Sequence, residues 1–309
     1  MDLLDHRGMT IAPSLLPASA PSRTAPRRAV LRNRTGLLLL PAGILALAFF
    51  AYPLVIITWR SFSDPSIGFG NYIAIFTDAG AMAILGRTFF TAFAVSTITL
   101  VLSYPYAYLM TLVGPKARAI LIAIALLPFW MSLMARTFSW VVLLGHDGPV
   151  SRILAFFGLG DVTLLGTVGG VVIGTVQVLL PYMVLTLYGT MQGIDRRLVD
   201  AALSLGARPR SAFRRVYLPL SLPGVAAGYV LVFVIALGFY ITPRILGSPQ
   251  QSLIAQIIGI KVEKLLDFAG AGAMGTILLV ATLLLLLLVS RISGTSKLLK
   301  SGDDEQQAR

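Results

Sequence analysis

An all-α integral membrane protein with six transmembrane helices is the fold class this sequence predicts, and three observations carry the prediction. Hydrophobic residues make up 56% of the 309-residue chain and charged residues only 12%, with a mean hydropathy of +0.83. Water-soluble domains do not approach that balance. The apolar residues gather in six runs, each long enough to cross a hydrocarbon core of about 30 Å. Between the fourth run and the fifth lies a polar, arginine-studded stretch, about residues 192–222, that belongs in water.

Residues 1–34 are rich in Ala, Pro, Ser and Arg without an apolar period, and read as a disordered, basic tail. The first run, Gly36 to Trp59, exceeds the roughly 7–15 residues of a signal-peptide core and reads as an uncleaved span. The other runs are Phe89 to Val113, Ala119 to Gly145, Leu164 to Thr190, Pro223 to Leu246 and Gly272 to Ile292. The span domain is therefore 35–295, with 296–309 a second tail. Only Gly114-Pro-Lys-Ala-Arg118 separates the second run from the third, so those helices are expected to be antiparallel neighbours. Prolines 41, 53, 105, 128, 181 and 243 each free a backbone carbonyl, so kinks are expected. Gly170-xxx-Gly174 and Gly224-xxx-Gly228 permit close helix approach.

Orientation follows from the basic residues. With the N-terminus inside, eighteen of the twenty-five Lys and Arg lie in cytoplasmic segments: the tail, Lys116 and Arg118, the 192–222 stretch, and Arg291 onward. That bias predicts both termini and the polar stretch in the cytoplasm. The same distribution by membrane side accounts for the +12 net charge and removes the case for nucleic acid.

Within the polar stretch, Asp195 is placed to accept from the free backbone donors of a helix start. Leu198, Ala201, Ala202 and Leu205 recur at helical spacing on one face, with Arg196, Arg197, Asp200 and Ser204 around the other. Gly206 can take the left-handed conformation that ends a helix, and Pro209 suits the first turn of a second short one. A helix, a tight turn and another helix with one small apolar face can dock in a groove. The same amphipathic pattern also rests on lipid headgroups.

The connection Ser252 to Phe268 is amphipathic but too interrupted by charge to cross, and is expected to lie along the external interface, as a gate or as a plain interfacial helix. Arg136 is the one charge well inside a run. A central arginine costs about 2.5–3.5 kcal/mol, so it should face a partner, a carbonyl or water, in either a structural or a path-lining role. Trp130 and Trp140 offer faces for a cation, or form an interfacial belt.

Several chemistries are excluded. The chain has no cysteine, so disulfides and thiolate metal sites do not arise. Its two histidines, His6 and His146, lack neighbouring ligand sets, so no metal is expected. No carboxylate falls inside a run, whereas ion-coupled carriers commonly need ionisable groups at mid-membrane. Gly294-Thr-Ser-Lys297 lacks the spacing of a nucleotide-phosphate loop, so a separate motor is expected. An ion-driven secondary carrier and a membrane enzyme are the other classes weighed; the second has no histidine, cysteine or carboxylate pair at one depth.

The stretch Asp200-Ala-Ala-Leu-Ser-Leu-Gly206, followed after nine residues by Val216-Tyr-Leu218-Pro219, resembles the EAA loop of binding-protein-dependent ABC importer permeases. Asp200 stands where that family has Glu, and Val216 where it has Ile; Ala201, Ala202, Gly206, Leu218 and Pro219 match. Three further stretches are similar to the spermidine/putrescine branch: Pro128-Phe-Trp through Gly145, Gly238-Phe-Tyr-Ile-Thr-Pro243, and Leu246-Gly with Ile254-Ala-Gln-Ile-Ile258. The resemblance implies the type I importer permease fold and a non-catalytic membrane subunit. Asp200, Ala201, Ala202, Leu205, Gly206, Leu218 and Pro219 would couple it to a cytoplasmic ABC ATPase dimer. It further implies a second permease subunit, homologous or identical, and an external solute-binding protein, with ATP bound by the partner and no cofactor here. Trp130, Arg136, Trp140, Tyr240 and Pro243 are the candidate path residues. Arg244 replaces a small residue of the polyamine branch and would repel a polycation at the external mouth. Opines, amino-acid derivatives, phosphonates and ferric iron are the alternative cargoes of close relatives.

Overall fold

The computed structural model describes residues 41, 43–158 and 162–292. The predicted tails 1–34 and 296–309 lie outside these residues. The chain divides into two units, Met1–Leu54 and Val55–Arg309. In the first, the described residues are helical through a π turn at Leu47–Ala51; they are the start of α1, Gly43–Ser63.

In the second unit, α2 is Gly70–Thr77, α3 Ala79–Leu112, α4 Pro115–Leu126, α5 Leu133–Leu144, α6 Pro149–Phe156 and α7 Val168–Met191. The polar stretch forms α8, Arg197–Ser204, and then α9, Pro209–Leu237. The short α10, Ile241–Leu246, and α11, Ile254–Glu263, precede α12, Phe268–Ile292. Among the described residues, five helices are long and apolar enough to cross a membrane, or six if the bent pair α4 to α6 counts as one span.

Helices α3, α7 and α9 pack pairwise into the centre. Ala92 and Val95 of α3, Leu179, Met183 and Leu187 of α7, and Val232, Phe233 and Ala236 of α9 form its buried core. One of the two predicted glycine motifs acts there. A Cβ on Gly224 would lie 2.6 Å from Thr190 Cβ, and one on Gly228 2.7 Å from Met183 Sδ, so both glycines let α9 close on α7. A Cβ on Gly174 would collide with the Leu246 side chain, which lets α10 close on the other side of α7, whereas the space at Gly170 is taken by the carbonyl of Leu164. Large apolar side chains on the outer faces, including Phe90, Phe93, Leu283 and Leu288, are exposed. A bilayer supplies the solvent for such faces.

The structure corrects several span boundaries. The third run is not one helix. After a 3-10 turn at Leu127–Trp130, Met131 is extended and Ser132 is non-helical, and the two halves meet at 92°. Pro128 cannot donate to a continuing helix, and the polar Ser132 follows where the direction changes. The second run begins ten residues earlier than its apolar signal, because the Asp78 carboxylate accepts from Gly80 N at 3.0 Å and Ala81 N at 3.2 Å and so starts α3 before Phe89. At 34 residues, α3 is about 51 Å long and outreaches the hydrocarbon.

The second short helix expected after Gly206 is instead the first turn of α9, which ends at Leu237 rather than Leu246. A π turn at Phe213–Tyr217 joins its parts, with Leu218 N bonded to Phe213 O five residues back. That widened turn falls just before Pro219, whose ring would crowd an ordinary turn.

The 252–268 connection packs against the bundle. Leu253 and Ile254 are fully buried, and α11 packs on α12 and α3. Arg87 donates to Gln250 O at 2.6 Å and Ser252 O at 3.3 Å. Thr88 Oγ1 accepts from Ile254 N at 2.9 Å, capping α11 from a different helix. Lys261 and Asp267 pair at 2.6 Å, and the ammonium holds the Asp267 carboxyl below the usual carboxylate range.

Candidate docking site at the helical elbow

The elbow is built from local hydrogen bonds. Asp195 Oδ1 accepts from Arg197 N at 2.9 Å, as the sequence predicts, and begins α8. At the other end Gly206 has φ +87°. Its N–H donates to Leu203 O at 2.9 Å, and Ala207 N donates to Ala202 O at 3.1 Å. These two bonds close a Schellman turn. Arg208 is extended ahead of Pro209, and its carbonyl accepts from Ser211 N and Ala212 N, which starts α9.

The inward face of α8 differs from the one predicted. Val199 packs on the buried cluster that contains Met191 and Tyr217, and Ala202 is half-buried. Leu198, Ala201 and Leu205 face out, with Leu205 89% exposed, beside Asp200 and Ser204. The sequence spacing was compatible with either face, because Leu198 and Val199 are adjacent and both apolar. The outcome leaves a small apolar ridge, Leu198 to Leu205, uncovered.

The matched residues fall in two places. Asp200, Ala201, Leu205 and Gly206 are exposed in the elbow with Ala202 half-buried behind them, while Leu218 and Pro219 belong to the regular part of α9 beyond the π turn. What joins elbow to bundle was not singled out from the sequence. Tyr108 meets Phe213 at 5.3 Å and Tyr217 at 4.9 Å, Phe213 stacks on Tyr217 at 5.6 Å, and Tyr104 reaches Phe213 at 6.3 Å. Tyr104 Oη also bonds Ser221 Oγ at 2.9 Å. Each partner helix presents its two rings at i and i+4, a signal readable in the sequence. The Arg196 guanidinium donates to Thr111 O at the end of α3.

At the other end of the bundle, α5 and α10 pack together through Thr137 and Thr242, whose hydroxyls lie 3.3 Å apart. Arg136 sits in the first turn of α5, half-buried, with its Nε buried and unpartnered. Trp140 packs on the cluster of Leu144, Val171, Leu246 and Leu253, and Pro243 is buried in α10. Tyr240 caps α10 and lies under the Arg244 guanidinium at 5.1 Å. Four of the five candidate path residues thus stand on or beside two packed elements; Trp130, before the bend, is 79% exposed. Arg244 also pairs with Glu263 at 3.5 Å, a partner the sequence reading did not provide. The described residues hold no cluster of His, Cys, Asp or Glu that could bind a metal ion.

A bundle of long apolar helices carrying an exposed helical elbow defines a multi-pass membrane protein. The family described as "Binding-protein-dependent transport system inner membrane component" matches residues 118–295, and the chain belongs to it. It is a non-catalytic ABC importer permease of the inner membrane. The chain is 32% identical over 242 residues to the "Spermidine/putrescine transport system permease protein PotB" of Haemophilus influenzae, covering 76% of this chain and 79% of the relative. It is 33% identical over 199 residues to the "Inner membrane ABC transporter permease protein YdcU" of Escherichia coli, covering 60% and 63%. Among solved structures, a chain of the "bacterial alginate ABC transporter in complex with alginate pentasaccharide-bound periplasmic protein" superposes with a TM-score of 0.69 at 19% identity, covering 86% of this chain and 96% of that one. A chain of the "MetNI methionine ABC transporter" superposes with a TM-score of 0.54 at 16% identity, covering 69% and 94%. These neighbours share the type I permease fold.

Proposed function

We propose that the chain forms half of the translocation path of an ATP-driven importer for a polyamine-like cation. A cytoplasmic ATPase dimer, which binds the ATP, grips the elbow at Asp200–Gly206. A second permease subunit, homologous or identical, completes the path, and an external solute-binding protein delivers the cargo. Both termini and the elbow face the cytoplasm. The single observation that carries the reading is the elbow: a Schellman turn at Gly206 holds Leu198 and Leu205 exposed, and Arg196 and the ring cluster tie it to α3.

The sequence to which the chain is 32% identical is named for spermidine and putrescine, which favours a polyamine. Glu263, 3.5 Å from Arg244, offsets part of the repulsion that the arginine's charge would exert on one. The test is uptake of labelled spermidine by proteoliposomes holding the complete complex. Uptake is expected only with ATP and binding protein, and unlabelled putrescine should compete where opines, phosphonates and ferric iron do not. Uptake that follows a proton or sodium gradient without ATP would overturn the importer reading, and competition by another cargo alone would overturn the polyamine reading.

A further inference from the structure

Beyond the path and the elbow, a cavity of about 270 Å³ lies where the end of α3, the end of α7 and the first turns of α9 meet. Its lining includes Thr111, Arg118, Tyr188, Gln192, Arg196 and Tyr217. Two guanidiniums and no carboxylate border it. Each arginine is held in place by one edge and keeps donors to spare. Arg118 gives Nε to Met110 O and one terminal nitrogen to Val113 O, both at 3.2 Å, and Arg196 gives one terminal nitrogen to Thr111 O. Tyr217 is 5% exposed, and its Oη is buried beside Thr111, with no hydrogen bond of good geometry.

A buried hydroxyl with a donor to spare, beside two guanidiniums, is a donor set suited to an oxyanion. A buried polar atom left unpaired is costly, and arginines bind tetrahedral oxyanions in bidentate fashion. We propose that this cavity binds a phosphate-type anion, Tyr217 Oη and the unused edges of Arg118 and Arg196 donating to its oxygens. The chemistry is shared by the headgroup of an anionic lipid and by free phosphate. Either would fasten the start of α4 to the root of the elbow, because Arg118 stands in the first turn of α4, while Arg196 immediately precedes α8 and Tyr217 lies in the π turn of α9.

The experiment uses the full complex. In one arm it is purified in detergent, supplemented with phosphatidylglycerol or phosphatidylcholine, and retained lipid is counted by native mass spectrometry. In the other, inorganic phosphate is titrated against chloride at matched ionic strength and melting temperature is followed. Tyr217→Phe keeps the ring contacts with Tyr108 and Phe213 and removes only the donor, so it is read beside Arg196→Gln and Arg118→Gln, whose backbone bonds are lost as well. Selective retention of phosphatidylglycerol, weakened about ten-fold by Tyr217→Phe, assigns a lipid site. A phosphate-specific rise in melting temperature, lost in the same variant, assigns a soluble anion. Wild type and Tyr217→Phe behaving alike in both arms would overturn the proposal, as would equal retention of the two lipids with no phosphate effect. Because neither readout depends on transport, the result is independent of the cargo, and the comparison with Tyr217→Phe separates this cavity from phosphate bound by the ATPase.

Discussion

Leu205 shows how one side chain divides folding from function. It is 89% exposed, so Leu205→Asp should leave the melting temperature within the scatter expected of a surface change, about ±0.5 kcal/mol. In an apolar groove of the ATPase the same carboxylate would be buried without a partner. Binding of the ATPase to the purified subunit should then fall by about ten-fold or more, measured by titration of the two components. Unaltered binding would show that the ridge from Leu198 is not what the partner grips. Gly206 shows the converse case. No atom lies within 4 Å of where its Cβ would go, so what demands glycine is its φ of +87° alone, a conformation costing other residues about 1–2 kcal/mol. The sequence exposed that requirement, since a glycine closing an apolar-periodic segment has few other uses. It did not expose which of Leu198 and Val199 turns inward. Adjacent positions on a helix are about 100° apart, and only the surface they meet decides between them.

At the scale of helices, the close approach of α9 to α7 rests on the absence of side chains. A Cβ on Gly224 meets three atoms of Thr190 within 3.0 Å, whereas one on Gly189 of α7 meets nothing within 4 Å. Thr190 is β-branched and cannot swing away cheaply. Gly224→Val is therefore expected to destabilise by about 1–3 kcal/mol through overpacking. Gly189→Ala should be neutral or slightly stabilising, by up to about 1 kcal/mol, because it exchanges a poor helix former for the best one. Thermal unfolding in detergent compares the pair, and equal shifts would mean that the helices are not in close contact. Hydropathy alone located these helices but misjudged their ends. Asp78 starts α3 ahead of its apolar run, and Pro209 starts α9 well before the apolar residues resume. Capping and proline chemistry mark helix ends at places that an average over hydrophobicity smooths away.

For the molecule as a whole, the absence of cysteine makes orientation directly measurable. Ser204→Cys on the elbow and Gln250→Cys at the opposite end are both at exposed or partly exposed positions. An impermeant maleimide is expected to label position 250 in intact, outer-membrane-permeabilised cells, and position 204 only in inverted membrane vesicles. Labelling of 204 from outside would reverse the proposed topology and remove the elbow from any cytoplasmic ATPase.

Composition, run length and the punctuation of the Asp195–Pro209 stretch were enough, without coordinates, to establish a six-run helical membrane protein with a wet elbow. Those features depend on solvent: a bilayer selects long apolar segments, and water selects amphipathic ones, whatever their neighbours are. Tertiary structure alone decided the size of the 92° turn after Trp130, the burial of the 252–254 turn under Arg87 and Thr88, the pairing of Arg244 with Glu263, and which rings meet beneath the elbow. Each of these joins residues distant along the chain or depends on what stands beside a backbone group, and such pairings arise only when helices meet.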